Sequence, residues 1–434
     1  MVAELVGPPA GGVEEPPRPI TKAPKAPEAR RTRVPVLDGI RGYAAVGVLY
    51  VHTAYFAGIM DVGPLKGIPV LNWLTVGMTV VLAPFFFLSG MLLYKSFAKS
   101  TFTGTKRPAL GRFFTRRLLR IVPTYWVMIV ATLLLIDFDL IKDAWYVIAP
   151  IFGLHYFKNT DYTGLIPGME ITWSVVTEVI FYALLPIAAA LINRYARKVA
   201  GDPERQLRRM VWSIAPFVLI GPAWEIYTHL PSMGIYPIEI FWPPGFIGLM
   251  ALGMIFGAMN AYHDVTGREP GLYRLAAKSP LSWWAAAAGV LVLNCWKPFD
   301  KAGSGDYPSM QQALMDHVLF VGFAVLLMVP LVAPSARSRF MDVTLGNKVG
   351  VFLGRISYGV YLWHFPALYF ALGAGSMFGT VPGLMPGQKN GAVLLLEVLA
   401  ITIVLATATT YLVERPAGKL GGRLFKSGAP TASR

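Results

Sequence analysis

An arginine and a histidine stand eleven residues apart in the otherwise apolar stretch LDGIRGYAAVGVLYVH, which runs from Leu37 to His52. Over eleven residues an α-helix rises roughly 16 Å and ends about 20° past three full turns. Arg41 and His52 therefore share one helix face, with Asp38 one turn before Arg41. Ionisable side chains at membrane depth cost about 2.5–3.5 kcal/mol each on insertion scales, so they face a polar interior. A column of such groups along one stripe points to a pathway or a reaction centre. The ordinary imidazole pKa of about 6.5 leaves a neutral, proton-accepting His52 available near neutral pH. The structural alternative is a histidine that bridges two helices by hydrogen bonds. Asp38 and Arg41, at i and i+3, can pair on their own helix. Such a pair would make two buried charges tolerable without any catalysis.

The elements that must hold these groups are membrane helices. The chain has 434 residues, of which 55% are hydrophobic and 15% charged, and its mean hydropathy is +0.52. That is more apolar surface than a soluble domain hides. Ten apolar segments, each near the ~20 residues that cross a bilayer, lie near 37–60, 72–94, 121–138, 171–193, 211–229, 241–261, 281–298, 313–334, 350–372 and 391–413. The expected fold is all-α, a polytopic bundle. The stretch from Trp145 to Phe157 is apolar but short and reads as a re-entrant or interfacial piece.

Charge distribution orients the bundle. The net charge of +15 sits between the apolar segments, which fits the positive-inside rule rather than nucleic-acid binding. With the N-terminus inside, one inner loop holds the basic residues from Lys99 to Arg120 and the next those from Arg194 to Arg209, while the outer loops hold Lys66, Lys142, Lys158, Lys301 and Lys389. Ten crossings with both termini cytoplasmic follow. Residues 1–33, rich in proline, alanine and charge, read as a disordered cytoplasmic tail without a signal-peptide core. Residues 34–416 form the membrane domain and 417–434 a basic cytoplasmic tail, with no soluble domain after the last crossing. The single cysteine, Cys295, can form no internal disulfide.

Six local patterns occur in order. They are LDGIRG…H in the first segment, FFFLSGMLL (85–93) in the second, RRLLRIVPTYW (116–126) entering the third, TWSVVTEVIFYALLP (172–186) in the fourth, LGRISYGVYLWH (353–364) in the ninth and YLVERP (411–416) closing the tenth. Together they resemble the acyltransferase 3 family of bacterial membrane acyltransferases, which includes O-antigen acetylases and macrolide acyltransferases. The resemblance extends from Val34 to Pro416. It implies a multi-pass protein of the bacterial inner membrane that takes an acyl group from cytosolic acyl-CoA, acetyl-CoA foremost, and acylates a hydroxyl of a cell-envelope glycan or glycolipid. No metal is expected, and the partners implied are membrane lipids, the donor and the acceptor. Some relatives carry an appended esterase-like domain.

The family's Arg-x10-His element falls on Arg41 and His52, its Arg-x-x-Arg element on Arg117 and Arg120 with Arg116 beside them, and its Trp-Ser-x-x-x-Glu element on Trp173, Ser174 and Glu178, with Val179 where a second acidic residue is common. On this reading His52 is the general base that takes the proton from the acceptor hydroxyl as it attacks the thioester. Arg41 stays protonated and so positions phosphate or polarises the thioester carbonyl. Arg116, Arg117 and Arg120, where a loop becomes a helix, anchor the donor phosphates, or else fix topology and touch anionic lipid heads. Glu178 orients an imidazole or binds acceptor hydroxyls, or else is a protonated core residue. Ser357, Tyr361 and His364 share a face at i, i+4 and i+7, with Pro366 expected to kink the helix just after. They are site-lining candidates together with Asp38, Trp173 and Ser174. His155, His229, His263 and His317 match no pattern. The competing reading is a proton-coupled transporter using the buried Asp, Arg, His and Glu as a relay. The absence of a visible repeat between halves weighs against it, as does an Arg-x-x-Arg cluster with no role in a relay. A catalytically dead scaffold is a third reading, and it leaves the buried charges unexplained.

Overall fold

The computed structural model of the chain describes residues 33–59, 69–157, 165–299 and 307–424, and the regular structure among them is helical throughout. The first half holds α1 (Arg33–Phe56), α2 (Pro69–Gly77), α3 (Ala83–Phe102), α4 (Leu110–Leu135), α5 (Ala144–Ile151), α6 (Trp173–Arg197), α7 (Pro203–Val218) and α8 (Ile220–Thr228). The second half holds α9 (Pro244–Thr266), α10 (Gly271–Lys278), α11 (Pro280–Cys295), α12 (Met310–Val332), α13 (Arg339–Leu345), α14 (Lys348–Leu372), α15 (Gly391–Thr409) and α16 (Arg415–Leu424). A π-helical turn, Thr410–Glu414, joins the last two. Local chemistry sets the ends. Asp202 caps α7 by accepting from the Arg205 N–H, ahead of Pro203 in the first turn. Asn347 caps α14 through the Gly350 N–H, and Gly373 ends that helix at φ +63.

Each of the ten predicted apolar segments coincides with helix, but seven stretches among the described residues are long and apolar enough to cross a membrane. The other three differ for identifiable reasons. Helix α11 has 16 residues and so spans only about 24 Å. Helices α1 and α14 are long, but the polar residues Arg41 and His52 in one, and Arg355 and His364 in the other, dilute their hydropathy. The segment expected at 121–138 starts earlier, at Leu110, so Arg116, Arg117 and Arg120 lie inside α4 rather than at a loop-to-helix junction. The segment expected at 211–229 is broken into α7 and α8 near Leu219, where Pro222 lacks an N–H and its ring crowds the carbonyl four residues back. Helix α5 has eight residues, about 12 Å, and does not span. Helix α14 runs on through Pro366. Apart from Arg33, the expected tail at 1–33 lies outside the described residues, whereas 417–424 continue α16 as helix.

Outward-facing Leu134, Ile187, Leu191, Val318, Leu396 and Val404 are exposed, an apolar girdle suited to lipid. One end of the bundle is basic. There Lys95 and Lys99 at the end of α3 pair with Asp264 at the end of α9, and Arg197 of α6 donates to the Ser100 and Thr105 carbonyls. Several helix pairs are packed through glycine. A Cβ on Gly354 of α14 would overlap the Asp38 carbonyl of α1, and one on Gly90 of α3 would overlap the Met250 carbonyl of α9. Such small residues let backbones approach where lipid supplies no hydrophobic drive. The α1–α14 contact is the one that positions the site.

Candidate functional site

Toward the basic end, α1, α3, α4, α6 and α14 enclose a cavity of about 110 Å³ walled by Arg41, Arg117, Arg120, Glu178, Tyr182 and Tyr361, with Ser89, Ser174 and Ser357 also in the wall. Arg117 and Arg120 stand at i and i+3 on one face of α4, which brings both into the cavity. Arg116, one residue back and so about 100° around the helix, is exposed and does not line it. The Glu178 carboxylate accepts from the Ser89 hydroxyl at 2.9 Å and from the Tyr182 hydroxyl at 2.6 Å. Arg120 reaches Glu414 at 3.7 Å, an acid carried by the π-turn, a feature that often re-aims side chains at functional sites. The result is a wall that holds three guanidiniums, the Glu178 carboxylate and several hydroxyls, with Glu414 behind Arg120. It matches the charge and hydrogen-bonding needs of an anionic, carbonyl-bearing ligand.

Further along the same helices, α1 and α14 place two imidazoles face to face. His364 Nε2 lies 3.1 Å from His52 Nδ1, and the rings stack at 5.1 Å between centroids. His364 Nδ1 lies 2.6 Å from the Tyr361 carbonyl. A carbonyl only accepts, so Nδ1 of His364 carries its hydrogen. With one proton on each ring, Nε2 of His364 is then an acceptor and Nδ1 of His52 the donor to it. The remaining nitrogen, Nε2 of His52, keeps its lone pair. The tautomers are thus assigned from an unambiguous acceptor at the end of the chain.

His52 also lines a second cavity of about 480 Å³ at the far end of the bundle, together with Tyr55, Glu170 and Tyr369. The Tyr369 hydroxyl donates to Glu170 at 2.7 Å, while the other Glu170 oxygen is buried without a hydrogen-bond partner. Burial pushes the Glu170 carboxyl up to about 7. Nearby Asp137 is fully buried, neither of its oxygens has a partner, and burial with Glu170 as a neighbouring charge pushes it up to about 8. Three residues bridge the two cavities. Tyr361 is in the wall of the first, its carbonyl holds His364, and His364 holds His52 in the wall of the second.

The structure therefore brings together Arg41, Arg117, Arg120, Ser174, Glu178, Ser357 and Tyr361 in one cavity, and His52 with His364 beside it. Glu178 faces Ser89 and Tyr182, and His364 rather than Glu178 is the hydrogen-bond partner that orients His52. Asp38 does not close to ion-pair distance of Arg41 among the described residues and lies outside the cavity wall, its carbonyl packed on Gly354. Trp173 stacks with Phe86 and Phe246 and faces a third cavity. Sequence reasoning missed Glu170, Tyr369, Tyr182 and Glu414. Glu414 lies within YLVERP and Tyr182 within TWSVVTEVIFYALLP. Glu170 and Tyr369 belong to no motif, and only their tertiary neighbours mark them.

The profile of a family described as an acyltransferase domain matches residues 34–413. A peptidoglycan O-acetyltransferase, OatA, of Listeria monocytogenes is 23% identical over 402 residues, covering 90% of this chain and 57% of the relative. The O-acetyltransferase OatA of Staphylococcus aureus strain NCTC 8325 is 23% identical over 431 residues, covering 90% and 58%. A putative O-acetyltransferase of S. aureus strain COL is 24% identical over 423 residues, covering 89% and 58%. The chain thus spans a little over half the length of these curated relatives. No solved structure matches.

Proposed function

The chain belongs to the acyltransferase 3 family, and from that premise we propose that it is a multi-pass inner-membrane O-acetyltransferase that moves an acetyl group from acetyl-CoA to a hydroxyl of an envelope glycan. The basic end, with both termini, faces the cytoplasm, and α1, α11 and α14 complete ten crossings. Arg117 and Arg120 hold the donor phosphates, and Arg41 sits deeper, where it neutralises charge near the thioester. The acceptor enters the far-end cavity beside His52. Relatives named as O-acetyltransferases, one of them of peptidoglycan, support this choice of acceptor class.

One observation carries the reading: the hydrogen-bonded chain from the Tyr361 carbonyl through His364 to His52 leaves Nε2 of His52 as the basic nitrogen. When Nε2 takes the acceptor's hydroxyl proton, the imidazolium is stabilised by the His364 lone pair. His364 is held in turn by a carbonyl that cannot reorient. This is the orienting role that a carboxylate plays in other triads. The acceptor oxygen attacks the thioester carbon, the carbon–sulfur bond breaks, and the proton passes from His52 to the departing sulfur, so no net proton is consumed.

The test is acetyl transfer from labelled acetyl-CoA to extracted envelope glycan by the purified full chain. His52→Ala should lower turnover by roughly 100- to 10,000-fold while the protein still binds acetyl-CoA. Undiminished transfer by that variant, or no binding of acetyl-CoA by the wild type, overturns the reading.

A further inference from the structure

The third cavity, of about 360 Å³, lies at the far end between α8, α9, α11 and α12 and is used by none of the chemistry above. Its wall includes Trp173, Glu225, His229, Asn294, Tyr307 and His317. Three features define what it can hold. The first is a surplus of acceptors. Asn294 spends its amide hydrogens on the Gly77 carbonyl at 2.9 Å and the Thr79 hydroxyl at 3.2 Å, so its buried Oδ1 is left with no partner. His229 Nδ1 lies 2.7 Å from the Glu225 carbonyl and so carries hydrogen, which leaves a buried, unpartnered Nε2 as an acceptor. The Glu225 carboxylate, with His317 Nδ1 at 3.5 Å, adds a third acceptor.

The second feature is a set of aromatic faces. Tyr307 stacks on His229 at 4.4 Å with rings 6° from parallel, and Tyr236 flanks it at 4.9 Å. Trp173, packed on Phe246 at 4.5 Å, is also in the cavity wall. The third is charge. Among the described residues the cation beside the cavity, Lys297, is paired with Asp316 at 2.7 Å, so an anion meets the Glu225 and Asp316 carboxylates there. Apolar faces with a few fixed polar groups suit a small-molecule ring, and the accessible Glu225 carboxylate calls for a donor on that ring. A neutral sugar ring fits these features: its C–H faces lie on aromatic rings while a hydroxyl donates to Glu225, beside Asn294 and His229 in the wall.

Position connects this cavity to the chemistry. Glu170 lines the cavity of His52, and Trp173, three residues on, lines the third cavity. Three residues extend at most about 11 Å, a distance that a short oligosaccharide spans. We propose that the third cavity is a saccharide subsite, binding a sugar ring that neighbours, in the same glycan, the ring acetylated beside His52. This rests on the reading of the chain as a glycan acetyltransferase.

The experiment measures binding without acetyl-CoA, on the full chain in detergent, by tryptophan fluorescence. The probes are N-acetylglucosamine and its linear tetrasaccharide. The tetrasaccharide should bind at least about tenfold more tightly than the single sugar. Glu225→Gln and Tyr307→Ala should each erase roughly tenfold of that gain, with Tyr307→Phe restoring most of it because the ring is kept. Thermal unfolding of each variant separates lost contacts from lost fold. Equal affinity for both probes overturns the subsite, as does wild-type tetrasaccharide affinity in a folded Glu225→Gln together with a folded Tyr307→Ala. So does a polyamine such as spermidine binding here in place of sugar. A protein that binds the tetrasaccharide with these sensitivities yet transfers no acetyl group retains the subsite and loses the enzymatic reading. One that acetylates sugars of every length equally retains the enzyme and loses the subsite.

Discussion

His52 and His364 lie on different helices, and the hydrogen bond between them decides which nitrogen of each ring carries a proton. A lone His52 has two equivalent tautomers. The Tyr361 carbonyl removes that freedom two rings away. The arginines divide in the same local manner, because an i, i+3 pair shares a cavity that an adjacent residue cannot reach. Arg117→Ala with Arg120→Ala should raise the KM for acetyl-CoA by about a hundredfold or more, since each charge-assisted contact carries tenfold or more. Arg116→Ala should leave it within about twofold, as expected of an exposed side chain. Steady-state kinetics with the donor varied at fixed acceptor checks both, and equal losses in the two variants would point to misfolding.

The contact between α1 and α14 is the element on which the site depends. Gly354 lets α14 lie directly on the Asp38 carbonyl, and the same pair of helices carries His52 and His364. Gly354→Ala forces the backbones apart, so it should lower the Tm and cost activity together. Gly418→Ala, with open space around it, should do neither, and thermal scans with transfer assays on both variants compare them. At the far end of α4, Asp137 is held neutral by burial, with its pKa about 8 against an ordinary 3.8. Between those values the folded chain keeps a proton that the unfolded chain has released. Stability from this group therefore falls as pH rises from about 4 to about 8. Asp137→Asn should flatten that fall, and melting temperatures of both proteins from pH 5 to pH 9 measure it. An equal fall in the two proteins would show that Asp137 is ionised in the fold.

For the whole molecule, the gathering of basic residues at one end sets the expected orientation. Cys295 is buried, so a Cys295→Ser background offers no accessible thiol for topology mapping. Lys142→Cys in that background should react with an impermeant maleimide added to intact cells, and Glu204→Cys should react only after the membrane is opened. Both positions are exposed in the fold and belong to opposite ends of the bundle. The reverse pattern would invert the orientation.

Apolar run length and composition placed ten stretches that are helical, because the cost of unpaired backbone in lipid forces each such run into helix, but not the basic start of α4 at Leu110 or the break near Leu219. Motif spacing also identified Arg41, Arg117, Arg120, Glu178 and Tyr361 as candidates, and each lines one cavity. Local sequence does not reveal which side chains meet across helices. The pairing of His52 with His364, separated by 312 positions, depends on glycine contacts between α1 and α14. Glu170 and Tyr369 are 199 positions apart and become neighbours only when loop and helix pack. The split of one candidate site into two cavities, with three bridging residues between them, was likewise decided by packing. Periodicity assigns a residue to a face of its own helix, whereas the partner of that face is set by the tertiary arrangement.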